Sequence, residues 1–241
     1  MVEFFEEMKP SHETWIKKQK LFFVASAPLT GKGTVNCSPK GYDSLRVINS
    51  KQVCYLELSG SGIETQAHLQ ENGRLTIMFC AFEGMPQIMR LMGRGRIVRV
   101  DTPEFDVLMA EHYQGSQLEH AVGKRAIIVS DIYKVSASCG YAVPYYDYKG
   151  ERETLINVYS KRDQKTVTER WLLNNKFSID GLPGMRHPSM GKDLAGSSGS
   201  NGFPADLSMF AFGSPLANVA VLSAGISIGA AVATFVLQCR R

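Results

Sequence analysis

Residues 1–188 consist largely of short stretches in which apolar side chains alternate with polar ones or form brief runs. Where such stretches are rich in Val, Ile, Phe and Tyr, they predict β-strands over residues 21–27, 34–38, 45–48, 53–58, 74–82, 88–100 and 126–136. Helical spacing is less frequent and predicts helices over residues 11–20, 64–71 and 103–113, with a further pair within 151–175. Tight turns join most consecutive strands, which favours an antiparallel barrel over a doubly wound parallel sheet. The predicted fold class is therefore mainly β, a closed β-barrel with peripheral helices.

The C-terminal quarter of the chain has a different composition. Residues 190–208 are rich in Gly, Ser and Pro and contain too few apolar side chains to offset the entropy that is lost on ordering. They predict a flexible linker, which we place over residues 189–214, after a folded domain of residues 1–188. No internal repeat is visible within that domain.

The segment after the linker predicts a membrane anchor. Residues 219–237 form a run of roughly 19 residues without a charge or a proline, which is long enough to cross a hydrocarbon core of about 30 Å. A buried core helix is the alternative, but its polar face would consist only of Ser223, Ser227 and Thr234. The sequence therefore predicts a transmembrane tail anchor over residues 215–238. This anchor would hold the preceding domain at the cytosolic face of an intracellular membrane.

Composition and charge narrow the range of partners. With 44% apolar and 21% charged residues, the 241-residue chain has the composition of a globular protein. Its formal net charge of +4 comes from basic residues scattered among acidic ones, so no nucleic-acid partner is predicted. The five cysteines lie far apart and are expected to be reduced thiols. His112 and His120 lack the i, i+4 spacing of helical metal ligands, so no metal site is predicted.

One strand-to-loop-to-helix transition has the pattern of an anion site. A predicted strand is followed by the loop SGSG of residues 59–62, and a helix is predicted to begin near Glu64. Backbone N–H groups converge at such a helix N-terminus, and the hydroxyls of the loop and of Thr65 can add hydrogen bonds to a phosphate. Lys40, at the end of a neighbouring strand, is the candidate cation, and Gly41 is expected to let the backbone turn away. The alternative is a flexible turn and a solvated lysine.

Three longer motifs follow one another in a single order: GTVNCSPKGYDSLRVI, CYLELSGSGIETQAHLQENGRLTIMFCAFEG and RLMGRGRIV. Together with SCGYAVPYYDY and SIDGLPG, they resemble the pyridoxamine 5'-phosphate oxidase-like family of FMN-binding split barrels, over roughly residues 12–185. The resemblance is to the branch that carries the motifs N-x-SPKG and SGxxxETxAHL. It implies a homodimer of split barrels with one FMN at each end of the interface, where each flavin touches both chains.

The resemblance also assigns residues to the cofactor. Lys40 and the loop 59–65 match the family's phosphate cradle, and the strand 35–38 matches the segment whose backbone runs along the isoalloxazine ring. Arg94 and Arg96 either reach a flavin from the partner chain or lie on the barrel exterior. The implied cofactor-binding residues are Val35, Asn36, Cys37, Ser38, Lys40, Ser59, Ser61, Thr65, Gln66, His68 and Arg94.

A cluster of tyrosines within the motif SCGYAVPYYDY has two interpretations. In the first, Tyr141, Tyr145, Tyr146 and Tyr148 pack in the core or at the dimer interface. In the second, which follows from the resemblance, this loop caps the flavin. The exposure of these side chains in the fold tests the core interpretation.

Departures from the family limit what the resemblance implies about activity. The enzyme after which the family is named recognises its phosphorylated substrate through an Arg/Ser-rich motif in mid-chain and an Arg-x-His near the C-terminus. The corresponding segments here, EHYQGSQLEHAVGKR and GLPGMRHPSM, preserve neither motif, so classical vitamin B6 oxidation is not expected. Two functions remain: a flavin-dependent oxidoreductase that acts on another small molecule, and a non-catalytic FMN-binding module that serves as a redox sensor or an interaction partner.

Overall fold

The computed structural model describes residues 2–185, which form one antiparallel β-sheet with helices around it. The strands are β1 (Val2–Phe5), β2 (Phe22–Ser26), β3 (Asn36–Lys40), β4 (Leu45–Asn49), β5 (Gln52–Leu58), β6 (Arg74–Cys80), β7 (Ile88–Arg99) and β8 (Lys124–Ser138). The helices are α1 (Pro10–Ile16), α2 (Glu64–Asn72), α3 (Pro103–His112), α4 (Thr154–Ser160) and α5 (Gln164–Asn174). The predicted mainly β class with peripheral helices is confirmed.

The order of the strands brings the two ends of the sheet together. The order is β3-β2-β6-β7-β8-β5-β4, with β1 added on β8. The outermost strands β3 and β4 are consecutive in the chain, and the short turn of residues 41–44 joins them, with the Ser44 amide donating to the Gly41 carbonyl over 3.2 Å. No ladder joins β3 to β4 in the part of the chain that the structure describes. This arrangement is consistent with the predicted split barrel.

Strict alternation along the central strands builds two apolar clusters, one on each face of the sheet. On β5, Val53 and Tyr55 belong to one cluster, whereas Cys54 and Leu56 belong to the other, which also contains side chains of α3. Neighbouring side chains of a strand point to opposite faces, so burial on both faces requires an unbroken apolar run. The run VCYL in the sequence meets that requirement.

Helix α3 begins where its sequence signals predicted. Thr102 precedes the helix, and its hydroxyl accepts a hydrogen bond from the Phe105 amide over 3.4 Å. Pro103 occupies the first turn, where a missing amide proton costs no helical hydrogen bond.

Two strands differ from the prediction because of distant contacts. The sequence signals did not predict β1; it pairs with β8 through Val2↔Ser138 to Phe5↔Val135, a register that only the folded chain creates. Strand β3 begins two residues later than predicted, since the Thr34 amide and hydroxyl donate to the Asp180 carboxylate over 2.7 and 2.8 Å. The strand also ends two residues later than predicted, with Lys40 as its last residue.

The predicted linker and tail anchor lie outside the described residues. Within residues 2–185, no helix combines the length and the apolar character that crossing a membrane requires.

Candidate functional site

A pocket lies where the C-terminal ends of β3 and β5 meet the N-terminus of α2. Its volume is about 410 Å³. Its wall consists of residues 36, 38–42, 44, 56–65, 125 and 155. The pocket therefore brings together the two parts of the predicted anion site, Lys40 from β3 and the loop 59–65.

The N-terminus of α2 contributes unpaired backbone donors to the pocket wall. Ile63 precedes the helix, and no side chain caps the first turn. The Ala67 amide donates to the Ile63 carbonyl over 3.0 Å, so the amides of residues 64–66 precede the first intrahelical hydrogen bond. These N–H groups and the helix dipole favour an anion at this end.

Lys40 supplies the cation. Alternation along β3 puts Asn36, Ser38 and Lys40 on the pocket side, whereas Val35 and Cys37 are exposed and do not line the pocket. The Lys40 ammonium is half-buried and makes neither a hydrogen bond nor an ion pair with any described residue. Burial lowers the pKa of Lys40.

The pKa of Lys40 also responds to its charged neighbours. The Arg125 guanidinium lowers the pKa further, while the Glu57 and Glu64 carboxylates partly offset the lowering. A half-buried ammonium group without an anionic partner is costly unless a ligand supplies the counter-charge.

The turn after Lys40 differs from the prediction made for Gly41. Gly41 does not have a positive φ; instead Tyr42 and Asp43 take φ of 61° and 51°. Two non-glycine residues adopt this strained conformation because tertiary contacts hold both of them. The Tyr42 amide donates to the Glu151 carboxylate over 3.2 Å, and Arg46 donates to the Asp43 carbonyl over 2.6 Å.

A buried ion pair that the sequence analysis missed lies beneath the loop. Arg125 on β8 and Glu57 on β5 are 3.3 Å apart, with side-chain exposures of 3% and 2%. Arg125 also donates to the Gly62 carbonyl over 2.9 Å, and Gln66 donates to Glu57 over 2.5 Å. Because Arg125 and Glu57 neutralise each other, the remaining charged side chains of the pocket wall are Lys40 and Glu64. One signal was available: a charged residue inside each of the apolar runs CYLEL and KRAIIV requires a buried partner.

A hydrogen-bond network behind β3 orients the hydroxyls of the pocket. The Asn36 side-chain amide donates to Ser26 Oγ over 3.2 Å and to Thr65 Oγ1 over 3.0 Å, and it accepts from Ser38 over 2.9 Å. Its hydrogen-bonding capacity is thereby used within the protein. Thr65 Oγ1 accepts from Asn36, and its own proton can be donated either to the buried Tyr55 hydroxyl or to a ligand in the pocket. Ser26 Oγ pairs with His68 Nδ1 over 2.9 Å.

Several predicted cofactor residues support the pocket rather than line it. His68 is fully buried, and burial lowers its pKa, so the imidazole is neutral near pH 7. Gln66 is buried against Glu57. Ser59 lines the pocket, but its hydroxyl already donates to the Gly123 carbonyl over 2.8 Å and accepts from the Trp171 indole. Ser61 is exposed and lines the pocket.

Arg94 lies at the opposite end of α2. Its guanidinium is exposed and donates to the Asn72 carbonyl over 3.0 Å. Within one chain it therefore lies about one helix length from the pocket, about 13 Å for nine residues. Arg96 pairs with Glu104 of α3 over 2.6 Å. A contribution of Arg94 to a cofactor of the partner chain stays a prediction.

The four tyrosines do not belong to the core. Tyr141, Tyr145, Tyr146 and Tyr148 are exposed by 83%, 78%, 62% and 45%. The interpretation that they pack in the core is wrong for the single chain, because the segment after β8 runs over the surface without regular secondary structure. Their packing at a dimer interface and their role over a flavin stay predictions.

Comparisons with known proteins place the chain among related sequences. A family model described as pyridoxamine 5'-phosphate oxidase matches residues 8–139. The chain is 36% identical over 202 residues to the pyridoxamine 5'-phosphate oxidase family protein ustO of Aspergillus flavus, a similarity that covers 78% of this chain and 79% of the relative.

Solved structures are more distant. HupZ of Group A Streptococcus is 22% identical with a TM-score of 0.42, covering 53% of this chain and 91% of that one. An FMN-binding protein of Syntrophomonas wolfei is 11% identical with a TM-score of 0.37, covering 52% of this chain and 80% of that one.

Proposed function

Because the chain belongs to the pyridoxamine 5'-phosphate oxidase family, we propose that it binds FMN and acts as a flavin-dependent oxidoreductase on a small molecule. The observation that carries this proposal is the half-buried ammonium group of Lys40, which has no anionic partner among the described residues and shares a pocket with the uncapped N-terminus of α2. An anionic ligand would gain both the Lys40 ammonium and the N-terminus of α2 as direct partners.

The donor set fits the phosphate end of FMN. A phosphate gains the Lys40 ammonium, the first-turn amides of α2 and the hydroxyl proton of Thr65, all on one pocket wall. Gly60 and Gly62 keep the loop free of side chains next to the ligand. When bound, FMN supplies an isoalloxazine ring that accepts a hydride from a reduced substrate.

The residues of the chain divide into those that bind the phosphate and those that hold the binders. Lys40 binds it, while the Arg125–Glu57 pair fixes the loop by way of the Gly62 carbonyl. Asn36 orients Thr65. In this proposal the backbone of residues 35–38 lies along the flavin ring.

The proposed assembly is a homodimer that is tethered to a membrane. Exposed aromatic side chains such as Tyr141 and Tyr145 offer apolar surface that a second copy of the chain would cover. The uncharged run of residues 219–237 supports the proposed tail anchor and the location at the cytosolic face of an intracellular membrane. Removal of residues 215–241 should shift the protein from the membrane pellet to the supernatant; a truncated protein that still pellets would refute the anchor.

A non-catalytic FMN-binding module is the second candidate, and the composition of the pocket wall favours it. Among the described residues of that wall, the titratable groups are Lys40, Tyr42, Glu57, Glu64 and Arg125, and Glu57 is already paired with Arg125. Only Glu64 remains as a carboxylate that could serve as a general base, and it already accepts from the Ile179 amide over 3.3 Å.

Absorption spectroscopy of the purified full chain tests both candidates. We expect a flavin spectrum, either as isolated or after added FMN. Anaerobic mixing with reduced nicotinamides, amines or alcohols should then bleach the band at about 450 nm if the protein is an oxidoreductase. Bound flavin that none of them bleaches would favour the non-catalytic module. Protein that stays colourless and takes up no FMN would refute both.

A further inference from the structure

Helix α5 contacts the outer side of the loop that forms the anion site. The Trp171 indole N–H donates to Ser59 Oγ over 2.7 Å, and the Asn175 side-chain amide donates to the Ser61 carbonyl over 3.2 Å. Trp171 is 3% exposed and Asn175, which ends the helix, is 1% exposed. Neither residue lines the pocket, so both act on the loop from behind.

Arg125 connects the same two elements. One terminal nitrogen of its guanidinium donates to the Gly62 carbonyl over 2.9 Å and to the Asn175 side-chain oxygen over 3.1 Å. The Asn175 side chain thus uses its nitrogen on the loop and its oxygen on the cation that holds the loop.

The chain that follows α5 packs against the residue that precedes α2. A Cβ at Gly184 would lie 2.7 Å from a methyl group of Ile63 and 2.4 Å from the Asn175 carbonyl, so only glycine fits there. The Met185 amide donates to that same carbonyl over 2.8 Å. Contacts from α5 and the chain after it therefore reach loop positions 59, 61 and 63, while Arg125 reaches position 62.

Helix α5 itself is attached to the barrel by few side chains. Only Val167 and Trp171 of its eleven residues are buried, and Leu173 is 79% exposed. A helix with so little buried apolar surface can detach at a lower free energy than the barrel unfolds. Its polar contacts with the loop are then a large share of what holds it in place.

We propose that docking of α5 through Trp171 and Asn175 controls the affinity of the loop for its anion. By thermodynamic linkage, an anion in the loop stabilises docked α5 to the same extent. Trp171 and Asn175 are positioning residues in this coupling. The inference rests on the proposed function for the identity of the flavin phosphate, whereas the coupling itself applies to any phosphate bound by the loop.

A matched pair of substitutions in the full chain tests the proposal. Asn175→Ala removes the contacts with Ser61 and with Arg125, whereas Asn174→Ala makes the same change at the exposed neighbouring position. We expect Asn175→Ala to weaken FMN and inorganic phosphate at least about two- to tenfold, the range for the lost neutral hydrogen bond to the loop alone, and Asn174→Ala to change neither. Equal affinities in the two folded variants would overturn the proposal.

Trp171→Phe keeps the inference testable if Asn175→Ala does not fold. This substitution retains an aromatic ring and removes the N–H donor to Ser59. It should weaken FMN and inorganic phosphate in the same way, with Leu173→Ala as the control on the exposed face. Undiminished affinity would contradict the proposal.

Hydrogen exchange measures the reciprocal effect and separates the inference from the proposed function. Saturating inorganic phosphate should slow amide exchange in residues 164–175 of the wild-type chain, and this protection should shrink in Asn175→Ala. Phosphate that binds without protecting α5 refutes the coupling. A chain that binds phosphate and protects α5 but takes up no FMN refutes the flavin assignment and leaves the coupling intact. A chain that binds neither ligand refutes both.

Discussion

The two ends of helix α2 meet their surroundings in opposite ways. At the C-terminus, Gly73 takes a left-handed φ of 68° and its amide donates to the Leu69 carbonyl over 3.0 Å. Arg94 donates to the Asn72 carbonyl over 3.0 Å, and the Gly95 amide donates to the Gly73 carbonyl over 2.7 Å. Protein groups therefore satisfy the carbonyls that end the helix.

At the N-terminus the first-turn amides lack a side-chain cap and lie on the wall of the pocket. Lys40, which lies on the same wall, makes no side-chain hydrogen bond or ion pair among residues 2–185. In the proposed function, the helix end whose carbonyls are paired within the protein supports the fold, whereas the end with unpaired amides near Lys40 binds the anion.

Removal of the Lys40 ammonium should have the largest effect on FMN binding at the N-terminus of α2. Lys40→Ala should weaken FMN by about 1.5–3 kcal/mol, roughly 10- to 150-fold, because it removes a charge-assisted contact to the phosphate. Titration of the flavin into the apoprotein, followed by fluorescence, measures this loss.

Lys51→Ala is the matched control for that change. Lys51 is exposed in the turn between β4 and β5. It precedes the start of β5, whereas the pocket lies at the other end of that strand, and it does not line the pocket. It should leave FMN affinity unchanged. Equal affinity of wild type and Lys40→Ala would remove the basis for the cradle.

Alkaline pH should weaken the contact between Lys40 and the phosphate without a mutation. Burial lowers the pKa of Lys40, and only its protonated form attracts a phosphate. Affinity should therefore be full below the lowered pKa and fall as the pH rises through it, before an exposed lysine loses its proton. A series of FMN titrations between about pH 7 and pH 10 measures this fall, since the phosphate is already a dianion there.

The ligand-free protein should show the opposite trend in stability. The unfolded chain binds the Lys40 proton more tightly than the folded chain, so the free energy of unfolding gains a contribution that grows with pH between the lowered and the ordinary pKa. Lys40→Arg should bind FMN with little dependence on pH in this window, because a guanidinium keeps its proton. A wild-type affinity that stays flat to about pH 10 would contradict the lowered pKa.

The sequence predicted the residues around the N-terminus of α2 better than the residues that hold them in place. Lys40 and the loop 59–65 could be found because a strand end, a Gly/Ser loop and a helix start are local patterns. Arg125 and Glu57 were missed as a pair, since strands β5 and β8 become neighbours only in the sheet. Asn36 was assigned to the cofactor through its backbone, which stays a prediction, whereas the bonds of its side chain to Ser26 and Thr65 were not predicted.

The strands and helix ends of the barrel likewise divide into those that local patterns predict and those that depend on distant contacts. The apolar stretches of β5 and β7 predicted both strands closely, and Pro103 predicted the start of α3. Strand β1 depends on a distant partner and its apolar side chains are exposed, so no local pattern marks it. Tyr42 and Asp43 took the strained turn that the sequence assigned to Gly41.

Removal of one negative charge near the N-terminus of α2 should strengthen FMN binding by a smaller amount. Glu64 lies in the first turn of α2 and lines the pocket, where its carboxylate repels an incoming anion. Glu64→Gln should tighten FMN by roughly 0.2–1 kcal/mol, the scale of a partly exposed charge interaction. The same change should lower the free energy of unfolding by about 0.3–1 kcal/mol, because it removes a favourable carboxylate from the helix N-terminus.

Glu71→Gln makes the matched change near the closed end of the helix. The Glu71 carboxylate accepts from the Leu29 amide over 2.8 Å and does not line the pocket. It should leave FMN affinity unchanged. Flavin titration and thermal unfolding of both variants measure the two quantities, and weaker binding by Glu64→Gln would show that this carboxylate helps the ligand.

Arg94→Ala should have the smallest effect and decides which end of α2 this residue serves. Its guanidinium is exposed and donates to the Asn72 carbonyl, so its loss should cost roughly 0.5 kcal/mol of unfolding free energy and leave FMN affinity unchanged. Chemical denaturation and flavin titration of the same preparation separate the two quantities. Weaker FMN binding at unaltered stability would instead mean that Arg94 reaches the cofactor of a partner chain. The C-terminal end of α2 in one copy would then contribute Arg94 to the anion site at the N-terminus of α2 in another.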